Sequence, residues 1–319
     1  MNVTIEEIIS KLKSAKTVAI FCHVRPDGDA LGSGLALCLA LNNLGKTAYM
    51  CCEDLPPEKF NFLSATGLVK SEIPELEYDT LISVDCADEA RLGVFCKRFQ
   101  KFKKTTINID HHISNSGFAK YNYVINCPAT CEIMTGIFQK AGFEITKDIA
   151  DLLMLGLITD SGNFTHCDVT EKTFQTAAHL RACGADVNKI NYEMFSRQSK
   201  ARAKLFGRVM NNIRFDLDDK FAYIVISMAD MQEFGADKSL TEGFVDFPLT
   251  IDGVEVAAAL LEYKKEQYKA SLRSKGTVNV NSVASAFGGG GHILASGCML
   301  FGTLEHVLDK LTYAVYQNL

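Results

Sequence analysis

Four short stretches of the chain carry acids and imidazoles at spacings that suit divalent cations. The first, His23-Val24-Arg25-Pro26-Asp27-Gly28-Asp29, follows an apolar run. One imidazole and two carboxylates suit an ion of the manganese or magnesium kind. In an extended loop, residues two apart point the same way, so Asp27 and Asp29 are expected side by side, with Gly28 permitting close approach. The second stretch, Ser83-Val84-Asp85-Cys86-Ala87-Asp88, ends an apolar segment in an acid. In the third, Asn108-Ile109-Asp110-His111-His112, the two adjacent histidines cannot both face a core, and the acid beside them can fix a tautomer. The fourth, running from Gly156 to Phe164, leads from an apolar helical pattern into Asp160 and a glycine-containing turn.

Each stretch alone has an ordinary structural explanation, since strand-end aspartates cap helices and polar loops are solvated. Together they supply ligands for two ions. One can use His23, Asp27 and Asp85, the other Asp29, Asp85, His111 and Asp160, with Asp85 shared. A bridged pair of that kind activates water as hydroxide and stabilises both the attacking and the leaving oxygen of a phosphoryl displacement. Proton abstraction by a lone carboxylate pair needs fewer ligands.

A further group lies toward the C-terminus. Phe287-Gly288-Gly289-Gly290-Gly291-His292, followed by Ala295-Ser296-Gly297, lets backbone N–H groups crowd an anion. The Lys-Ser/Thr ending of a Walker loop is missing, which disfavours an ATPase. Arg273, Ser274 and Lys275 close a nearby strand and can hold a phosphate by charge-assisted hydrogen bonds.

These residues need elements to position them, and in the first half apolar β-rich segments alternate with helical patterns. That order predicts an α/β domain with a helix-flanked parallel sheet. Strands are expected at Thr17 to His23, Thr47 to Cys52, Leu81 to Asp85 and Thr105 to Ile109. Helices are expected at Leu31 to Leu44, Ala129 to Ala141, Ile149 to Ile158 and Glu171 to Cys183. After a helix over Lys200 to Asn211 the pattern changes to longer strands at Phe221 to Ser227, Val254 to Tyr263 and Gln267 to Arg273, and a helix over Leu304 to Tyr316 ends the chain. The expected division is 1–190 for the first domain, 191–211 for a helical linker and 212–319 for a smaller second α/β domain. Ligands of open α/β sheets sit at strand ends, where the four stretches fall.

Composition narrows the partners. With 38 acidic against 33 basic residues the formal charge is -5, which argues against a protein that coats long duplex nucleic acid. A small anion needs only a local cluster of cations. The 11 cysteines are scattered, odd in number and without paired Cys-x2-Cys units, so reduced thiols are expected rather than a disulfide frame or structural zinc. No apolar run reaches the ~20 residues of a membrane span, and a cytoplasmic location without membrane partners is expected.

The segments His23 to Asp29, Asp85, Asp110-His111-His112 and Asp160 resemble the four motifs of the DHH phosphoesterase family, and Gly288 to His292 resembles its C-terminal DHH-associated domain. The pairing of these two domains is similar to bacterial nanoRNases that also dephosphorylate 3'-phosphoadenosine 5'-phosphate, and to stand-alone phosphodiesterases of pApA or cyclic di-AMP. The resemblance implies two Mn2+ ions, with Mg2+ or Co2+ as substitutes, held by His23, Asp27, Asp29, Asp85, His111 and Asp160. It implies His112 beside the scissile phosphate, so that His112, Asp29 and Asp85 form the catalytic set. It further implies Arg273 and His292 on the substrate's terminal phosphate, with Ser274, Gly290, Gly291 and Ser296 around them. Two departures from the family pattern are Ser161, where threonine is common, and Cys131, where serine is frequent. The expected partner is a short oligoribonucleotide or small nucleotide, and the oligomeric state is open, a homodimer included. A family II-type pyrophosphatase, a RecJ-like exonuclease and a catalytically silent nucleotide-binding regulator are the competing readings.

Overall fold

A computed structural model describes residues 2–319 of the chain. The chain divides into two compact units, Met1–Arg197 and Gln198–Leu319. The first contains α1 (Ile5–Ser14), β1 (Thr17–Phe21), α2 (Gly28–Asn43), β2 (Thr47–Cys51), β3 (Thr80–Val84), α3 (Cys96–Lys101), β4 (Thr105–Asp110), β5 (Tyr121–Val124), α4 (Thr130–Ala141), α5 (Lys147–Asp160), α6 (Glu171–Ala182) and α7 (Val187–Asn191). Its strands form a parallel sheet in the order β2-β1-β3-β4-β5.

Strand alternation decides which side chains meet which layer. Val18 and Ile20 of β1 join Ile82, Val84, Ile107 and Ile109 under α1, α2, α4 and α5. Ala19 and Phe21 point the other way, to Leu92, Phe95 and Phe99. Both faces of the sheet are covered, as a parallel sheet requires. Helices α2 and α5 approach closely because glycine lines their contact. A Cβ on Gly28 would lie 2.3 Å from Thr159 Oγ1, one on Gly32 2.4 Å from the Leu152 carbonyl, and one on Gly156 2.5 Å from Asp29 Oδ1.

The second unit contains α8 (Lys200–Asn211), β6 (Arg214–Asp216), β7 (Phe221–Ile226), α9 (Met228–Phe234), α10 (Asp246–Leu249), β8 (Val256–Lys264), β9 (Gln267–Ser274), α11 (Val280–Ser285), β10 (Gly290–Gly291), β11 (Ala295–Phe301) and α12 (Leu304–Tyr316). Its mixed sheet runs β10-β11-β9-β8-β7-β6, with only β7 and β8 parallel among these pairs. One face packs Val256, Ala258, Leu260, Ala270 and Leu272 against α11 and α12. The other packs Ala257, Ala259 and Leu261 against Leu205, Val209 and Phe244.

Helix α8, expected as a connector, is thus built into the core of the second unit. Its Leu205 and Val209 are one turn apart and fully or almost fully buried. No helix of the described residues is long and apolar enough to cross a membrane.

Candidate metal centre

The four acid and histidine stretches converge in the first unit. His23, Asp27 and Asp85 offer ligand atoms within 4.8 Å of one another, as do Asp29, His111 and Asp160, and as do Asp85, His111 and His112. His23 Nε2 lies 3.4 Å from Asp27 Oδ2 and 3.6 Å from Asp85 Oδ2. His111 Nε2 lies 3.5 Å from Asp85 Oδ1 and 3.4 Å from Asp160 Oδ2. Asp85 therefore faces both imidazoles through different oxygens.

The loop geometry expected around Gly28 needs correction. Asp27 and Asp29 do not share an extended loop, because α2 already begins at Gly28. Asp27 is the N-cap, with Oδ1 accepting the Asp29 and Ala30 amides at 3.1 and 3.0 Å. Capping uses one oxygen and leaves Oδ2 toward His23, so the structural and chemical roles coexist. Asp29 sits in the first turn of α2 and is 0% exposed. Its Oδ2 accepts the Thr130 amide at 2.6 Å and its Oδ1 the Cys131 amide at 2.9 Å, so the N-terminus of α4 holds this carboxylate. The two acids consequently belong to different ligand groups.

Main-chain partners set the histidine tautomers. His23 Nδ1 donates to the Val24 carbonyl at 2.8 Å, and His111 Nδ1 donates to the Cys127 carbonyl at 2.9 Å. Each ring then turns Nε2 toward the acids, the orientation of a metal-ligating histidine. His112 differs. Its Nδ1 lies 2.7 Å from Asp110 Oδ1 and only 3.7 Å from Asp85 Oδ1, so Asp110 is its partner. Asp110 is fully buried, and its Oδ2 accepts from Asn115 Nδ2 at 2.6 Å. That hydrogen bond to Asp110 raises the His112 pKa above the usual imidazole range.

The electrostatics point the same way. Burial pulls the His23 pKa down, but Asp27 and Asp85 outweigh it and push it up to about 10. Burial, then the charges of Asp29 and Asp85, push Asp160 up to about 9. Burial and the Asp85 charge also raise Asp29 well above the carboxylate range. Aspartates so crowded cannot all ionise without added positive charge. Oxygen donors with imidazole nitrogens fit Mn2+, Mg2+ or Co2+ chemically. Asp85 itself has φ 51, a left-handed conformation rare for a residue with a side chain. Such strain at a site is of order 1–3 kcal/mol and persists only where neighbours over-determine it. Here the Asp85 amide donates to the Ile109 carbonyl at 3.0 Å, and Thr130 Oγ1 donates to Asp85 Oδ1 at 3.2 Å.

Reading the sequence alone missed Thr130 and the α4 amides, because a backbone donor leaves no residue-type signal. Asn108 and Asn115 were also missed. Both donate to the Cys86 carbonyl at 3.2 Å, and Asn108 Oδ1 accepts from Asn115. Asn108, a buried polar residue between Ile107 and Ile109, was the legible clue.

The second unit presents its expected residues unequally. Arg273 is partly exposed, with Nε 3.1 Å from Asp246 Oδ1, and His292 is exposed. Ser274 and Ser296 do not accompany Arg273, which corrects the expectation that they line the same substrate surface. Strand alternation turns them to the opposite face, where both are buried. Ser274 Oγ accepts the Gly276 amide at 3.0 Å, and Ser296 Oγ donates to the His292 carbonyl at 2.7 Å. The glycine run is also less open than expected. The amides of Gly288, Gly289 and His292 already donate to the Ser285, Ala284 and Ala295 carbonyls. Gly289 and Gly291 are required by close packing, since a Cβ on them would lie 2.3 Å from the Gly297 carbonyl and 2.6 Å from the Ala295 carbonyl. Gly290 has room, with its nearest neighbour at 3.7 Å.

Comparison with known proteins places this geometry. Residues 17–157 match the DHH family, N-terminal domain, and residues 218–317 match the DHHA1 domain. The bifunctional oligoribonuclease and PAP phosphatase NrnA of Thermus thermophilus is 31% identical, over 94% of this chain and 91% of its own. The protein of that name from Bacillus subtilis is 25% identical, over 92% and 93%. Among solved structures, an exopolyphosphatase-related protein from Bacteroides fragilis superposes with a TM-score of 0.84 at 26% identity, over 98% of this chain and 95% of that one. RecJ of Thermus thermophilus, in complex with Mn2+, shares the fold at TM-score 0.53 and 14% identity, over 98% and 55%. The chain belongs to the DHH family of phosphoesterases and carries the DHHA1 domain at its C-terminal end.

Proposed function

We propose that the protein hydrolyses phosphate esters in very short oligoribonucleotides, pApA among them, and in 3'-phosphoadenosine 5'-phosphate, releasing mononucleotides. One observation carries the reading: His23 and His111 both have Nδ1 tied to a main-chain carbonyl, with Nε2 turned toward a group of aspartates that includes the buried Asp85. That pattern supports a pair of divalent cations, one on His23, Asp27 and Asp85 and the other on Asp29, Asp85, His111 and Asp160. When bound, such ions supply Lewis acidity and lower the pKa of water. The names of the similar NrnA proteins support the substrate class.

The chain's own residues have separable tasks. Asp85 serves both ligand sets. Asp29 has each oxygen engaged by an α4 amide, which makes it a fixed ligand and a poor proton carrier. His112 takes the proton-transfer role, because Asp110 orients it and favours its protonated form. Its position beside Asp85 suits donation to a leaving nucleoside oxygen. Arg273 and His292 bind a terminal phosphate of the substrate, Arg273 by exchanging Asp246 for the phosphate. The test is a Mn2+-supplemented assay across pApA, 3'-phosphoadenosine 5'-phosphate, cyclic di-AMP, pyrophosphate and a ~24-nucleotide RNA. Turnover of the first two, falling with length, is the expected outcome. Pyrophosphate as the best substrate, or no metal-dependent turnover of any, overturns the reading.

A further inference from the structure

Two thiols meet in the first unit where β1 and β2 end. Phe21 pairs with Cys51 in the parallel register of these strands, so Cys22 and Cys52 stand opposite one another one residue further on. Alternation sends Phe21 and Cys51 to one layer, and Cys22 and Cys52 together to the other, under the helices. Neighbouring strands run about 4.7–4.9 Å apart, within the roughly 4.4–6.8 Å between Cα atoms that a disulfide spans. Both thiols are free. The pair also sits at a joint. Cys22 directly precedes His23, and Cys52 Sγ donates to the His23 carbonyl at 3.3 Å. Two residues beyond Cys52, Asp54 Oδ2 accepts the amide of Arg25 at 2.8 Å, and Arg25 is itself in a left-handed conformation with φ 55. The segment after β2 therefore holds the loop that carries His23 and Asp27.

We propose that Cys22 and Cys52 form an oxidative modification site, at which hydrogen peroxide makes a disulfide that loosens the His23 ligand set. One thiol, as thiolate, attacks a peroxide oxygen and becomes a sulfenic acid as the O–O bond breaks and water leaves. The second sulfur attacks the first, the S–S bond forms and a second water departs. Two thiols are oxidised, one peroxide is reduced, and both thiol protons end in water. Exposures of 1% for Cys22 and 0% for Cys52 restrict the oxidant to one near the size of water. The linked sulfurs have no S–H, so the His23 carbonyl loses its donor, and the Cβ atoms are drawn to about 3.8 Å. The inference rests on the metal reading above and concerns residues outside both ligand sets. In the test, the full chain is stripped with EDTA, treated with peroxide and divided. One part is alkylated, digested without reductant and mapped by mass spectrometry; the other, freed of peroxide and EDTA, is titrated with Mn2+ by calorimetry. A peptide joining Cys22 to Cys52 is expected, with the Mn2+ Kd raised ~10–100-fold, the range for lost support of a metal ligand, and dithiothreitol reversing both. Cys22→Ala and Cys52→Ala should each lack the link and keep one Kd before and after peroxide. Cys167→Ser, which removes an exposed thiol, should respond as wild type does. No joined peptide at a peroxide level that oxidises Cys167 would overturn the proposal, as would a joined pair with unchanged Mn2+ affinity or a peroxide response that survives in Cys22→Ala. If reduced wild type binds no Mn2+, the metal reading itself fails and the inference falls with it.

Discussion

Asp29 and Arg273 stand at opposite extremes of anchoring. Asp29 is wholly buried, with both oxygens bonded to amides roughly a hundred residues away in the chain. Arg273 is on a strand beside open surface and has one carboxylate partner, Asp246, which is itself exposed. The contrast extends to their surroundings. In the first unit His23, His111 and His112 are each held through Nδ1, and Asp29 lies against Gly156 where α2 and α5 approach. In the second, His292, Gly290 and Lys269 are exposed. The difference follows from charge. Aspartates that repel one another stay together only if the scaffold over-determines them, whereas a cation offered to a phosphate can wait in water and be ordered by its ligand.

This contrast makes different demands on substitution. Asp85→Ala should have the largest effect, removing an oxygen donor from both ligand groups. Activity on pApA should fall by more than ~100-fold, beyond the range for partners that only orient a ligand, and bound Mn2+ measured by mass spectrometry should drop with it. Full metal content in that variant would end the idea of a shared aspartate. Asp110→Asn should lower kcat by ~10–100-fold while metal content stays near wild type, because its contact is to His112, which stands outside the two proposed ligand sets. A loss of metal in Asp110→Asn would instead make His112 a ligand.

Arg273→Ala should act mainly on KM, raising it at least about tenfold for pApA, as expected for a lost charge-assisted hydrogen bond. Metal content should not change, so a KM equal to wild type would remove Arg273 from substrate binding. The smallest effects should come from the glycine run, read as thermal stability. Gly289→Ala should destabilise by about 1–3 kcal/mol through overpacking against Gly297, while Gly290→Ala should lie within ~0.5 kcal/mol of wild type. Equal losses at the two positions would mean that conformational freedom, and not close packing, is what the run provides.

Much of the fold was legible because its signals are local. Apolar runs ending in Asp85 and Asp110 gave strands within a residue or two of β3 and β4, and the spacing over Lys200–Asn211 gave α8 with its observed bounds. Helix α1 was not foreseen, although Thr4 and Glu7 form the capping box that announces it. Strand β11 was also missed, since Gly297 and the preceding glycine run read as loop while the alternating burial of Ser296, Cys298 and Leu300 went unweighed. Strand β5, four residues at the sheet edge, carries too short a pattern to separate from a turn.

By itself the sequence determined the donor types, their order along the chain and the alternation that makes an α/β sheet, because residue chemistry and hydrophobic period act over a few neighbours. Tertiary structure decided the rest. It decided that Asp27 and Asp29 part company at a helix start, that His111 and not His112 turns a free nitrogen to the acids, and that Ser274 and Ser296 face away from Arg273. Each of these depends on a hydrogen bond or a packing face supplied by another segment. Thr130 reaching back to Asp29 across 101 residues is the clearest case, since a pattern read along the chain holds no record of which distant amide will arrive.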